Sequence, residues 1–186
     1  MELIPPLETG FLNGWILIVL LFGTYGIMLV FFPKYAFDRL YDRSGQRKQQ
    51  GIRQVSVVIL VLLWFIMVSL TPLKIGSAVF IIGILIYSLG LIGFLFALNN
   101  FKNTPMDQPV IMGLYRVSRH PQQLFISVAF LGIGIAIGSW LAFSTILLGM
   151  MAAHKKILAE EEACLELYGE SYKKYMEQIP RYFLFF

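Results

Sequence analysis

Four long apolar segments constrain this chain more than any other feature of its sequence. They run over residues 11–32, 55–73, 75–98 and 124–153, with polar stretches or a tight turn between them. A helix needs about 20 apolar residues to cross the hydrocarbon core of a bilayer. Hydrophobic residues make up 58% of the chain and charged residues 14%, far from the balance of an ordinary soluble domain. The sequence therefore predicts an all-α integral membrane protein.

The fourth apolar segment, residues 124–153, is too long for one membrane span and short for two, and it has a Gly-Ser pair in its middle. Lysine and arginine in short loops are strongly biased toward the cytoplasmic side. If this segment is a helical hairpin, the polar stretches 34–54, 99–123 and 154–186 share one side, which then holds 14 of the 15 basic residues. We therefore predict about five transmembrane helices, with the N-terminus outside and the C-terminus in the cytoplasm.

This topology predicts a single membrane domain over residues 1–186. Residues 1–98 form its three N-terminal spans, and residues 99–186 form a polar loop, a short helical hairpin and a tail. In the tail, HKKILAEEEACLELYG at 154–169 has apolar residues at helical spacing, which predicts that the last span continues as a helix into the cytoplasm. Trp15, Trp64 and Trp140 are expected to be anchors at the membrane interface.

A basic cluster, YRVSRHPQQL at residues 115–124, precedes the hairpin. Pro121 suits the first turn of a helix, and the free N–H groups of such a turn favour anions. Arg116, Arg119 and His120 are then expected at the cytoplasmic surface. Arginines at this position are also typical of snorkelling anchors that set topology, so both interpretations stay open.

Three consecutive glutamates, residues 160–162, lie near the other end of the predicted hairpin. At 100° per residue, Glu161 falls in the middle of an apolar stripe, whereas Glu160 is expected to be solvated. A carboxylate on a packing face requires a partner. Because both ends of a hairpin lie on the same side, Arg119, His120 and Glu161 can converge. We therefore expect a polar pocket at the membrane surface.

Several motifs in this half of the chain resemble one family when taken in order. They are GLYRVSRHP at 113–121, EEACL at 161–165, YG at 168–169, YKKY at 172–175 and PRYF at 180–183. This ordered set is similar to the C-terminal half of the isoprenylcysteine carboxyl methyltransferase and phospholipid methyltransferase superfamily. The resemblance covers about the last 70 residues, and the first three spans match only in number and length.

The resemblance implies an S-adenosylmethionine-dependent methyltransferase that acts on a lipid or lipid-anchored acceptor. It implies a cofactor pocket between the cytoplasmic ends of the last two spans and the C-terminal segment. Within it, Arg119 and Glu161 are the expected catalytic residues, and the expected cofactor-binding residues are Tyr115, Arg119, His120, Pro121, Glu161 and Glu162. Arg116 and Gln123 are expected to contact the acceptor. The family pattern often continues R-H-P-x-Y-x-G, and this chain departs from it with Gln123 and Phe125.

Two other function classes remain open from the sequence. One is an NADPH-dependent membrane enone or sterol reductase, and the other is a non-catalytic membrane scaffold or small transporter. A transporter would be expected to carry ionisable residues near the bilayer midplane, and the apolar segments have none. No metal site is expected, because His154 has no potential ligands at metal spacing, and no nucleic-acid partner is expected. The glycines Gly134 and Gly138 predict close helix packing.

Overall fold

A computed structural model describes the backbone of residues 1–41 and 52–183, and the side chains of 1–41 and 58–183. The described part is all-helical, as predicted, with no strand beyond two isolated bridges. Its α-helices are α1 Trp15–Val30, α2 Lys34–Tyr41, α3 Ile52–Leu70, α4 Ala78–Lys102, α5 Pro121–Ala136, α6 Trp140–Tyr168 and α7 Glu170–Gln178. A 3-10 turn, Gly113–Arg116, precedes α5. Residues 42–51 of the predicted basic loop lie outside the described residues.

The fourth apolar segment forms a helical hairpin, α5 and α6. Only three residues join the two helices, and Gly138 adopts φ 70°, a left-handed conformation that suits glycine. The hydroxyl of Ser139 then accepts a hydrogen bond from the Ala142 N–H at 3.1 Å and caps α6. Gly138 therefore serves the turn rather than helix packing, whereas Gly134 lies close to the backbone of Phe143, as expected.

The helices differ in how well they could cross a bilayer. By length and hydropathy, α4 and α6 are long and apolar enough to span a membrane, while α1, α5 and residues 58–70 of α3 are shorter apolar helices. In α6 the apolar segment ends near residue 153, and the same helix continues through a charged half up to Tyr168. The predicted helical extension is therefore confirmed as part of one 29-residue helix.

Close packing of α4 against α5 forms the centre of the bundle. A Cβ on Gly90 would lie 2.3 Å from the backbone nitrogen of Ala129, and one on Gly132 would lie 2.4 Å from that of Tyr87. These glycines therefore allow the two backbones to approach closely. Trp64 is also part of this core, with 5% of its surface exposed and its indole N–H donating to the Ala142 carbonyl at 3.1 Å. The expectation that Trp64 is an interface anchor is wrong, because α6 supplies a buried partner for its N–H.

One end of the bundle gathers the N-terminal segment and two helix connections. The Glu2 N–H donates to the Gly138 carbonyl at 2.8 Å, and the Lys74 N–H donates to the Ala136 carbonyl at 3.1 Å. The side chains of Lys74 and Glu2 also form an ion pair at 2.9 Å. The start of the chain, the α3–α4 connection and the α5–α6 turn therefore lie together.

The opposite end gathers α2, the connection after α4 and the end of α6, and Arg39 joins all three. Its guanidinium group donates to the carbonyls of Pro105 and Gln108, both at 3.0 Å, and to the hydroxyl of Tyr168 at 2.8 Å. It also lies over the ring of Phe101, with 5.2 Å between the guanidinium carbon and the ring centroid. Arg39 thus fixes the polar connection beside the start of α5.

Candidate functional site

A charged cluster at this second end consists of Arg119, His120, Glu161 and Arg181. Nε of Arg119 donates to Oε1 of Glu161 at 2.9 Å, and Nε2 of His120 lies 3.2 Å from the same oxygen. Arg181 donates to Oε2 from Nε at 3.0 Å and from Nη2 at 2.8 Å. The structure therefore brings together Arg119, His120 and Glu161, and adds a second arginine from the tail.

The segment before α5 is shaped by proline and by contacts with the tail. Pro121 is buried at the first position of α5, where its missing N–H leaves no helical bond unmade. The backbone N–H of Arg119 donates to the Pro180 carbonyl at 3.0 Å, and the hydroxyl of Ser118 donates to the Arg181 carbonyl at 3.0 Å. The tail thus holds this segment in the orientation that directs Arg119 toward α6.

Glu161 lies in the charged half of α6, and its side chain is 3% exposed. Burial alone would raise its pKa, because a carboxylate loses water there. Hydrogen bonds from His120 and Arg181, with the nearby charge of Arg119, outweigh burial and lower the pKa of this carboxyl to about 2. Glu161 is therefore ionised at neutral pH, and the two guanidinium groups leave the cluster with an excess of positive charge.

Helix α7 covers the cluster from the tail side. Nη1 of Arg119 donates to the Met176 carbonyl at 2.8 Å, and the hydroxyl of Tyr175 donates to the Tyr115 carbonyl at 2.7 Å. Tyr115, Tyr172 and Tyr175 are buried together there in a second, smaller core. The hydroxyl of Tyr115, a predicted cofactor contact, accepts a hydrogen bond from Gln122 at 2.9 Å. Tyr115 thus supports the docking of α7.

The remaining predicted site residues lie outside the cluster. Arg116 and Glu162 are exposed and Gln123 is half-buried, and within the described residues none of their side chains forms a hydrogen bond or ion pair. Glu160, which was expected to be solvated, is 37% exposed and borders the cluster, with its Oε2 3.9 Å from Nδ1 of His120. The roles assigned to Arg116, Glu162 and Gln123 stay predictions.

Arg181 is the member of the cluster that sequence reasoning missed. Its motif, PRYF, was part of the family resemblance, but no side chain in it was assigned a role. A signal was present, because a carboxylate on an apolar stripe needs a counter-charge and Arg181 is the last basic residue of the tail. What the sequence lacked was the path of the tail back to α6.

Phe125, one of the two departures from the family pattern, is matched by a glycine on the neighbouring helix. A Cβ on Gly93 of α4 would overlap the Phe125 ring. The ring therefore occupies the space that Gly93 leaves open. This pairing explains how α5 accepts a large residue where the family pattern often has glycine.

The fold and the cluster define a class of protein: an apolar helical bundle with a buried ionic site at one end, closed by the C-terminal segment. Residues 72–171 match the family model described as phospholipid methyltransferase, which covers more than half of the chain. The chain belongs to the phospholipid methyltransferase family, in agreement with the resemblance read from its motifs. Membership of this family implies a methyltransferase with lipid substrates.

The matched region begins at the α3–α4 connection and ends just after α6, so it contains Arg119, His120 and Glu161 but not Arg181. Comparison with curated proteins and with solved structures gave no match.

Proposed function

We propose that this protein is an S-adenosylmethionine-dependent methyltransferase that acts on a lipid or lipid-anchored acceptor at the cytoplasmic membrane surface. The observation that carries the proposal is the charged cluster of Arg119, His120, Glu161 and Arg181, which assembles in a chain of the phospholipid methyltransferase family. The family match favours methyl transfer over a membrane reductase or a transporter.

The donors and acceptors at the edge of the cluster fit this cofactor. The cofactor offers a carboxylate, an ammonium group, ribose hydroxyls and a sulfonium. Arg181 is 20% exposed, and its Nη1 has no partner among the residues described, so it can receive a carboxylate. The carboxylate of Glu160, beside His120, can receive an ammonium group or a ribose hydroxyl. We propose that Arg181, His120 and Glu160 contact the cofactor.

Arg119 and Glu161, the expected catalytic pair, act in this arrangement as positioning residues. Glu161 is enclosed by two guanidinium groups and an imidazole, and its carboxylate fixes Arg181 through two hydrogen bonds to Oε2. Arg119 links the same carboxylate to the Met176 carbonyl and so to α7. The pair therefore keeps the tail and the start of α5 in the geometry that the cofactor site needs.

The bound cofactor would supply a methyl group on sulfonium sulfur, and its transfer is an in-line displacement. The contribution of this chain is to hold the donor, exclude water and align an acceptor, which alone accounts for much of the acceleration in reactions of this type. Cys164 is not an activated nucleophile, since burial raises the pKa of its thiol. The raised pKa of this thiol is consistent with direct methyl transfer that has no covalent enzyme intermediate.

The apolar surface of the helices supports placement in a bilayer. Large apolar side chains point outward from three helices, with Ile27 63% exposed, Leu62 55% and Leu85 65%. Surfaces of this kind are covered by lipid or by another protein. We propose five membrane helices, α1, α3, α4, α5 and α6, with the charged cluster on the cytoplasmic side. An acceptor with an apolar tail then enters laterally from the bilayer, and the cofactor enters from water.

Calorimetric titration of the detergent-solubilised protein with S-adenosylhomocysteine tests this proposal. The wild type is expected to bind S-adenosylhomocysteine and not NADPH. Glu161→Gln removes the charge that orients Arg181, and a charged hydrogen bond contributes about 1.5–3 kcal/mol, so affinity should fall at least about tenfold. Glu166→Gln is the matched control, because Glu166 is exposed on the same helix.

The affinity is to be measured on the folded fraction, and Arg181→Gln provides a second variant outside α6 with the same expected loss. Equal affinity for the wild type and all three variants would refute the site. Absence of binding by the wild type would refute the proposed cofactor.

A further inference from the structure

A groove opens on α6 beside the charged cluster. It has a volume of about 400 Å³ and is lined by Met150, Met151, His154 and Tyr182. Three of these residues belong to one face of α6, and Tyr182 comes from the tail. The groove is therefore a mostly apolar recess with two polar side chains at one edge.

The two polar side chains form a pair. Nδ1 of His154 lies 2.9 Å from the hydroxyl of Tyr182. When Nδ1 carries the proton, its N–H donates a hydrogen bond to the hydroxyl oxygen of Tyr182. The lone pair of Nε2 is then free to accept another proton. Nε2 has no hydrogen-bond partner within residues 1–41 and 58–183. The pair thus has the arrangement of a histidine whose second nitrogen is available to a ligand.

The two walls of the groove, α6 and the tail, both continue into the proposed cofactor site. His154 and Glu161 are seven residues apart on α6, which places them on the same face, two turns and about 10 Å apart. On the tail side, the consecutive residues Arg181 and Tyr182 contact Glu161 and His154 respectively. His154 also stands where the apolar half of α6 gives way to its charged half. A lipid headgroup at the membrane surface would reach this level.

The buried carboxylate at this end, that of Glu161, already has partners. The Glu161 carboxylate receives hydrogen bonds from Arg119 and Arg181, and it engages Nε2 of His120 as well. His120 engages the Glu161 carboxylate and belongs to the proposed cofactor site, so His154 is the histidine of the described chain that lies outside that site.

The lining also discriminates between acceptor classes. It provides the acceptor atoms of a histidine, a tyrosine and two thioethers, and it contains no lysine or arginine. A carboxylate acceptor would need a cationic partner there, whereas an ammonium group can donate to these atoms. An amine must also lose a proton before it can attack a methyl group. The groove therefore favours an ammonium headgroup.

We propose that the His154–Tyr182 pair receives the ammonium headgroup of a lipid acceptor and takes its proton, an inference that rests on the proposed methyltransferase function. The N–H proton passes to Nε2 of His154, and the freed lone pair attacks the methyl carbon of the sulfonium donor. The new N–C bond forms as the C–S bond breaks, and that electron pair stays on sulfur. The product is an N-methylated ammonium lipid with a thioether coproduct, and the histidine returns its proton to water.

The test measures methyl transfer to phosphatidylethanolamine and to its N-monomethyl derivative in mixed micelles across a range of pH. General-base catalysis contributes about 10²–10⁴-fold, so His154→Gln should lower kcat at least about 100-fold. Its remaining rate should rise with pH, because the amine then deprotonates in solution, while its affinity for S-adenosylhomocysteine stays within about twofold of the wild type. Tyr182→Phe should move the pH profile with a smaller loss, and Tyr168→Phe, at the end of α6, should do neither.

Each contrary result has a distinct meaning. Unchanged kcat and an unchanged pH profile in His154→Gln would overturn the inference, as would wild-type transfer to a prenylcysteine carboxylate and not to either amine lipid. In both cases S-adenosylhomocysteine binding would leave the proposed function standing. If His154→Gln fails to fold, the test depends on Tyr182→Phe. A wild-type pH profile in that variant would contradict the proposed role of the His154–Tyr182 pair.

Discussion

At the residue scale, the ionised state of Glu161 couples the docking of the tail to pH. The cationic neighbours of this carboxyl lower its pKa from 4.5 to about 2. A folded-state pKa below the unfolded value adds stability that is fully present above pH 4.5 and is lost as the pH falls toward 2. A difference of this size corresponds to about 3 kcal/mol.

Acid titration of thermal unfolding checks this expectation in the detergent-solubilised protein. The thermal unfolding midpoint of the wild type should decrease as the pH is lowered from 4.5 to 2. Glu161→Gln should start lower and lose less over the same interval, because it has no carboxyl to protonate. Parallel curves for the two proteins would show that Glu161 does not carry this pH dependence.

Single residues of the site could be predicted where chemistry requires a partner. A glutamate on an apolar stripe demanded cations, and the hairpin offered Arg119 and His120. Arg181 could not be placed, because no periodicity fixes the path of a tail after its last helix. Glu160 was expected to be solvated, and its approach to His120 could not be foreseen because it depends on how closely α5 and α6 pack at this level.

At the element scale, the α4–α5 contact depends on glycines that no other residue can replace without moving a helix. In Gly90→Ala the new Cβ would lie 2.3 Å from the Ala129 nitrogen and 2.6 Å from its Cα, so the backbones must separate. Overpacking of this kind costs about 1–3 kcal/mol. We expect a clear fall in the thermal unfolding midpoint. We also expect weaker S-adenosylhomocysteine binding, because Arg119 and His120 of the cluster directly precede α5.

Gly23→Ala is the control for this substitution. Gly23 lies within α1, and a Cβ there would meet nothing within 4 Å. Alanine has the better helix propensity by about 1 kcal/mol, so this variant should be equally or more stable. If Gly90→Ala and Gly23→Ala gave the same midpoint, close α4–α5 packing would not limit stability.

The elements themselves could be predicted from hydrophobic length and charge distribution. The division of residues 124–153 into two helices follows from counting basic residues on each side, and the structure shows it as α5 and α6. Helix α2 was not foreseen, because residues 34–41 lie in a stretch whose net basic character indicates a loop. Pairwise fits such as Gly93 with Phe125 are also out of reach, since they depend on which faces of two apolar helices meet.

At the scale of the whole molecule, the two ends of the bundle make the topology testable. Exposed positions Asn103 and Glu177 lie at the end with the charged cluster, and exposed Thr9 lies at the other. With Cys164 replaced by serine, single cysteines at the first two positions should react with a membrane-impermeant reagent from the cytoplasmic side. A cysteine at position 9 should react from the opposite side. Labelling of positions 103 and 177 from different faces would rule out the five-helix arrangement.

The order of synthesis gives the ionic closure of the site a further consequence. All the described helices, the last ending at Gln178, precede Arg181 in the chain. A ribosome therefore releases every described helix before it releases the side chain that completes the hydrogen bonds to Glu161. A nascent chain can be inserted and packed while its ionic site is still open. The proposed site is therefore completed only after all the described helices have been synthesised.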